Sequence, residues 1–407
     1  MSLAPAGGTA AFRHRDFVFF IAARFLSATA IQVLFVAVAW FVYEQTKDPL
    51  SLGLIGLAAF LPIVPLTLVA GDVADRFDRR AILLVCYSLA TAVAAALSAL
   101  ALAHVAVVWP IYGLILIFGA GRAFAFPAGQ SLLPNLVPRE HFANAVAWNS
   151  LAWQTATIAG PALGGALFAL GSAVAFFTAL ALFAAAVGLL ACMRRIPPRQ
   201  RPDKMTWASL IAGIAFLRSQ PVVFGAISLD LFAVLLGGAT ALLPIYAGEI
   251  LEVGPVGLGI LRSMPAVGAV VMAAGLAFRP LQRHVGRRMF AAVGVFGLAT
   301  IGFGLSETLW LSLLFLFMLG AADMVSVFIR QTLVQLDTPD AMRGRVSAIN
   351  ALFIGASNEL GEFESGAVAA LIGTVPAVVV GGAGTLLVAA LWARWFPQLY
   401  RRDRLTG

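Results

Sequence analysis

Four ionised side chains fall inside long apolar stretches of this 407-residue chain: Arg24, Arg122, Asp230 and Asp323. A charge in hydrocarbon is costly, and by default it marks a transport pathway, a buried partner or both. The two bases lie in the N-terminal half and the two acids in the C-terminal half. Arg122 and Asp323 are 201 residues apart, and Arg24 and Asp230 are 206 apart. At the rise of a helix, all four sit roughly 10–17 Å in from the same ends of their segments, which puts them in one layer. Opposite charges in such a layer can pair, and protonating an acid weakens the pair, because a buried base without its partner is expensive. The plainer alternative is static ion pairing or snorkelling that only stabilises the fold, with Arg24 the best placed to snorkel.

A second group is Glu359, Glu362 and Glu364. Glu359 and Glu362 are three apart and share a helical face. Arg262 lies at a depth similar to that of Glu362, so these two are expected to pair, either as part of the coupling machinery or as a fixed structural network. A carboxylate left without a base in an apolar site holds a proton, and Glu359 and Asp230 are the candidates. Gln32, Phe35, Phe126 and Trp153, with Trp40 and Trp148, could contact an aromatic or macrocyclic substrate, or pack on neighbours and lipid. His14, His104, His141 and His284 show no ligand spacing, so no metal is expected. No glycine-rich phosphate loop with Lys-Ser/Thr is present, so neither ATP coupling nor a cofactor is expected. No nucleophile–base pair is recognisable, which argues against an enzyme.

The elements that must carry these residues follow from composition. Hydrophobic residues make up 61% of the chain and charged residues 11%, with a mean hydropathy of +0.94. A soluble domain is nearer half apolar and a quarter charged. Apolar segments of about 20 residues recur, not the alternating segments of about 10 of a β-barrel, so the chain is read as an all-α membrane protein. Twelve spans are expected, near 17–43, 51–70, 81–103, 107–133, 143–170, 172–193, 221–247, 255–277, 289–306, 308–330, 346–372 and 374–396. No signal peptide is apparent.

The loops on one side hold 23 of the 27 basic residues, counting Arg330, while the opposite loops hold only Lys47. By the positive-inside rule the basic side is cytoplasmic, and an even number of spans puts both termini there. The net charge of +8 therefore reports topology and not nucleic-acid binding. Cys86 and Cys192 read as two buried, reduced thiols.

Arg194 to Lys204 carries three prolines and divides the chain. The division is a six-helix bundle over 1–193, a cytoplasmic linker with a short interfacial helix over 194–220, and a second bundle over 221–407. The block from Gln130 to Asn149 aligns without gaps on Gln331 to Asn350, so the halves are repeats. Two repeats on one axis are the plan of a rocking transporter with its site near the bilayer midplane.

Between the second and third spans stands Gly71-Asp-Val-Ala-Asp-Arg-Phe-Asp-Arg-Arg80. Flanked by membrane-length segments, it is expected to be a tight turn. It resembles the signature loop of the major facilitator superfamily, matching at Gly71, Asp75, Arg76, Arg79 and Arg80, with Asp78 where a glycine is usual. Gly160-Pro161-Ala-Leu-Gly164-Gly165 resembles that superfamily's antiporter motif, a bend and contact point between the halves. Trp40–Thr46, Pro49–Gly53, Arg122–Phe124 with Pro127 and Ala128, and Ser357–Gly366 are similar to its enterobactin-exporter and macrolide-efflux branch.

The resemblance implies the major facilitator fold, with spans 1, 4, 7 and 10 lining a central cavity. Arg24, Arg122, Asp230 and Asp323 would then form a charge-paired gate. Gly71–Arg80 would act as a latch between the halves, with Asp75 near the start of span 11. Span 1 offers Gln32 where many drug–proton antiporters of the superfamily place an acid. The expectation is a monomer in the bacterial inner membrane that exports a siderophore- or drug-like small molecule in antiport with protons. Uptake or facilitated diffusion of an organic anion, and lysophospholipid translocation, are the alternatives.

Overall fold

The computed structural model describes residues 8–103, 107–195, 207–279, 281 and 283–405, without the side chains of 68, 75, 207–212, 340, 341, 343, 344 and 348. His104, most of the linker and the side chain of Asp75 therefore lie outside the described residues. The described chain is almost entirely helical. Its helices are α1 (Arg15–Thr46), α2 (Pro49–Phe60), α3 (Ile63–Arg76), α4 (Arg79–Leu102), α5 (Trp109–Leu132), α6 (Phe142–Ala169), α7 (Ser172–Ala191) and α8 (Trp207–Ser219). They continue with α9 (Pro221–Leu236), α10 (Leu243–Ile245), α11 (Gly254–Phe278), α12 (Val285–Gly304), α13 (Leu309–Leu336), α14 (Asp340–Ile372), α15 (Thr374–Trp395) and α16 (Pro397–Tyr400).

Among the described residues, ten stretches are long and apolar enough to cross a membrane. Of the remaining helices, α6 and α14 have 28 and 33 residues. Both are long enough to cross but more polar, α14 because of its three glutamates. Expected and observed ends agree closely for most spans. The larger differences are at α3 and α13, which each run six residues past the expected end, and at α14, which begins six residues early.

The chain forms two compact units, Met1–Phe41 with Ala58–Met205, and Val42–Leu57 with Thr206–Gly407. In the first, α4 packs against α5 and α7, α3 against α5, and α6 against α7. In the second, α12 packs against α13 and α15, α11 against α13, and α14 against α15. The packing order thus repeats. So do the turns: Gly171 joins α6 to α7 at φ 134°, and Gly373 joins α14 to α15 at φ 91°. Only a residue without a Cβ adopts such angles at no steric cost.

The core of the first unit gathers Phe17, Phe20, Leu83, Leu132 and Leu190. That of the second gathers Leu229, Met289, Phe290, Ile329 and Trp392. The span expected over 221–247 is broken. α9 ends at Leu236, Gly237 and Gly238 follow, and a 3-10 turn, α10 and a π-turn to Ile250 complete the crossing. Non-helical backbone at membrane depth requires protein around it, and Gly361 of α14 lies against Gly238 and Leu235 here. The helix expected over 207–219 forms as α8, whose Leu217 joins a cluster with Val346 and Ile349 of α14.

Candidate functional site

The most enclosed charges lie in the second unit. Asp230 of α9 is 3% exposed and forms an ion pair with Arg330 of α13, itself 2% exposed. Arg330 was expected in a cytoplasmic loop. It is buried within the helix because α13 continues to Leu336, leaving Arg330 two turns beyond Asp323 on the same helical face. The basic partner of Asp230 therefore comes from its own unit, whereas Arg24 was the expected one. The seven-residue spacing from Asp323 to Arg330 was the signal available in the sequence.

Asp323 interacts electrostatically with both Asp230 and Arg330. Asp230, Asp323 and Ser326 line a small cavity walled by Ala233, Val234, Val293, Phe296 and Ala322, with room for about one water molecule. Two carboxylates thus border one apolar pocket, and one of them, Asp230, is paired with the Arg330 guanidinium.

A second polar cluster sits higher on the same unit. Arg262 Nη2 of α11 is 3.8 Å from Glu362 Oε1 of α14. The Thr240 hydroxyl, just past the break in the chain, donates to the same oxygen at 3.3 Å. Gly56 of α2 packs onto this point so closely that a Cβ there would meet Glu362 Cβ at 2.9 Å. At the end of α1, Tyr43 donates to Glu249 at 3.1 Å and its ring lies 3.8 Å from Lys47 Nζ. Sequence reasoning named neither Thr240 nor Tyr43.

In the first unit, Arg24 reaches across α5, where a Cβ on Gly129 would come within 2.7 Å of its Nη1. Its guanidinium lies 6.0 Å from the Phe20 ring and 5.9 Å from the Trp153 ring. Among the described residues it has no carboxylate partner. Trp153 is 45% exposed, so one aromatic face beside this cation is open. Arg122 lies 5.6 Å from the Phe35 ring, and Phe126, one turn on, is also exposed. Gln32 packs against Gly160. Trp148 is engaged elsewhere: its Nε1 donates to Gly8 O at 2.9 Å and its ring meets Phe12.

The expected turn at Gly71–Arg80 is mostly helix. α3 continues through Arg76, and only Phe77 and Asp78 separate it from α4. Asp78, standing where the superfamily usually has glycine, has φ −59° and caps α4 by accepting from the Arg80 amide at 3.0 Å. No left-handed residue is needed. Arg76 pairs with Asp72 one turn earlier. Arg79 donates to the carbonyls of Ala74 and Ser131, and Arg80 to those of Leu190 and Ala191. The two arginines thereby bring charged donors to carbonyls at the ends of α3, α5 and α7.

The weaker copy near Gly275–Arg288 is built differently. The amides of Val285 and Gly286 donate to the carbonyls of Asp403 and Arg402, and His284 meets the Asp403 carboxylate at 3.0 Å. The antiporter-like motif packs against α1 within its own unit. A Cβ on Gly160 would meet Gln32 Cβ at 2.6 Å, and one on Gly164 would meet Val33 Cα at 3.0 Å. α6 runs through Pro161 without interruption, and Gly165 is buried beside it. His14 and His141 lie 3.0 Å apart, nitrogen to nitrogen, yet no group of three metal-ligating side chains occurs among the described residues. Cys86 is buried as expected, but Cys192 is exposed because it caps α7 where the chain leaves the bundle.

A helical membrane protein of two repeats, with charges buried in its spans, has the architecture of a major facilitator transporter. The model of the transmembrane secretion effector family matches residues 6–403, and the chain belongs to that family within the superfamily. The enterobactin exporter EntS of Citrobacter koseri is 28% identical over 397 residues, covering 93% of this chain and 91% of that protein. The nucleoside transporter NupG has a TM-score of 0.73 at 15% identity, covering 94% of this chain and 99% of its own. A bacterial homologue of the human lysosomal transporter Spinster has 0.73 at 14%, covering 94% and 97%. These two likenesses concern the fold.

Proposed function

We propose that the protein is a secondary active exporter that carries an amphipathic aromatic anion out across the bacterial inner membrane. It works by alternating access in antiport with protons. The observation that carries this reading is Arg24, a half-buried guanidinium with no described carboxylate, set between Phe20 and the open face of Trp153. A catecholate or carboxylate oxygen would pair with that guanidinium while its ring stacks on the indole. Arg122 places a further cation beside an aromatic ring, 5.6 Å from that of Phe35. The similarity to enterobactin exporters supports outward movement. Asp230, Asp323, Glu359 and the Arg262–Glu362 pair supply the acids that proton coupling requires, and Asp75 acts as the switch acid of the signature loop.

The test is transport of enterobactin into everted proteoliposomes under an imposed pH gradient. The expected result is accumulation that collapses when the gradient is dissipated. Arg24→Gln should weaken apparent affinity for the anion about tenfold to a hundredfold, the worth of one charged hydrogen bond. It should leave binding of the aromatic cation ethidium unchanged. Flux that ignores the gradient would remove proton antiport, and equal effects of Arg24→Gln on both probes would remove the anion site.

A further inference from the structure

We infer that Asp323, Ser326, Asp230 and Arg330 form a site for a single proton, with Asp323 the group that carries it. The assignment deepens the antiport reading and rests on it only for what the proton does once bound. Two carboxylates border the pocket and the one guanidinium beside it is paired with Asp230, so with all three ionised the pocket holds one uncompensated negative charge in an apolar wall. Such a charge is expensive and calls for a cation. Asp230 is already committed to Arg330. Among the described residues no hydrogen-bond donor reaches the carboxylate of Asp323, which borders the cavity. The Ser326 hydroxyl borders the same space, is 3% exposed and has no partner among the described residues. A protonated Asp323 can donate to Ser326 or to one water in the cavity. A metal cation wants about six oxygens, and this pocket offers far fewer.

Among the described residues the charges that act on Asp323 are Asp230 and Arg330, and α14 carries Glu359 and Glu364 besides Glu362. α12 presents Val293 and Phe296, with Arg287 and Arg288 at its start. Arg262 of α11 is occupied with Glu362 of α14. α15 is uncharged before Arg394. Asp323 lies about 20 Å along α13 from either end, near mid-span.

Arg330 makes the site a switch. Its Nη1 holds Asp230, and its Nε is buried without a partner among the described residues. When Asp323 carries the proton, the guanidinium belongs to Asp230 alone and ties α13 to α9. When the proton leaves, Asp323 becomes a second anion on the same helix face and competes for Arg330, loosening its hold on Asp230. α9 carries that change towards its end at Gly237, where the span breaks. The step adds one proton to one carboxylate oxygen and removes it again, with no other bond made or broken.

The measurement is an infrared pH titration of the purified full-length protein in lipid nanodiscs, following the carbonyl stretch of protonated carboxyl groups. One titrating band is expected to vanish in Asp323→Asn, which copies the protonated group, and to persist at a shifted frequency in Asp323→Glu. The Glu variant keeps the test decisive if the Asn variant fails to elute as a single species. An unchanged band pattern in both variants would overturn the assignment. So would displacement of the band by sodium chloride, against a choline chloride control, at fixed pH. Loss of the band together with gradient-independent enterobactin flux would support the proton site while removing antiport.

Discussion

Arg80 shows how a superfamily motif earns its place through backbone carbonyls. Its Nε and Nη2 donate to the carbonyls of Leu190 and Ala191 at 2.7 and 2.8 Å, in the last turn of α7, where the helical amide ladder runs out. Arg79, buried, does the same for α3 and α5. Arg80→Ala should therefore cost about 1.5–3 kcal/mol, as the loss of charged hydrogen bonds does, and lower the unfolding temperature in detergent. Arg80→Lys should recover only part of this, because an ammonium cannot reproduce the fork that spans two carbonyls. A Lys variant with wild-type thermal stability would show that charge alone matters. At this scale the sequence revealed the intramembrane charges Arg24, Arg122, Asp230 and Asp323 and the Arg262–Glu362 contact. It concealed Arg330, because a helix end misplaced by six residues turns a buried partner into a loop base. It concealed the carbonyl-capping role of Arg79 and Arg80 as well, since carbonyl acceptors have no signature in side-chain spacing.

Helices were legible where apolar runs met clear stops, and less so where backbone geometry decided. Gly71–Arg80 looked like a turn because it is charged, yet its first six residues satisfy the α3 ladder and only two leave it. The broken span at Gly237 and Gly238 was hidden inside an unbroken apolar run. The glycine motif on α6 is where sequence and structure meet most directly, and it yields a paired prediction. Gly164→Ala would place a methyl 3.0 Å from the Val33 backbone, which cannot step aside, and should cost about 1–3 kcal/mol. Gly188→Ala, on α7 with open space around it, should be neutral or gain up to about 1 kcal/mol from helix propensity. Thermal unfolding of both variants in one detergent separates close packing from propensity. Equal shifts in the same direction would remove the close-contact role assigned to Gly164.

Hydropathy and topology disagree at the scale of the molecule, and the two cysteines can decide between them. Counting only the ten most apolar stretches leaves out α6 and α14, whose polar residues lower their hydropathy. If α6 does not cross, the first unit spans the membrane an odd number of times, and Cys192 at the end of α7 lies opposite the chain's start. If α6 crosses, both lie on the arginine-rich side, which the positive-inside rule makes cytoplasmic. Cys192 is exposed and Cys86 is buried, so a membrane-impermeant maleimide reports on Cys192 without further engineering. Labelling is expected in everted vesicles and not in intact spheroplasts, and it should disappear in Cys192→Ser. In that background Gly8→Cys, at an exposed position with open space around it, should label from the same side. Labelling of the two positions from opposite faces would mean that α6 lies within one leaflet. The repeat, with α6 and α14 in matching places, would then be a match of packing without a match of crossing.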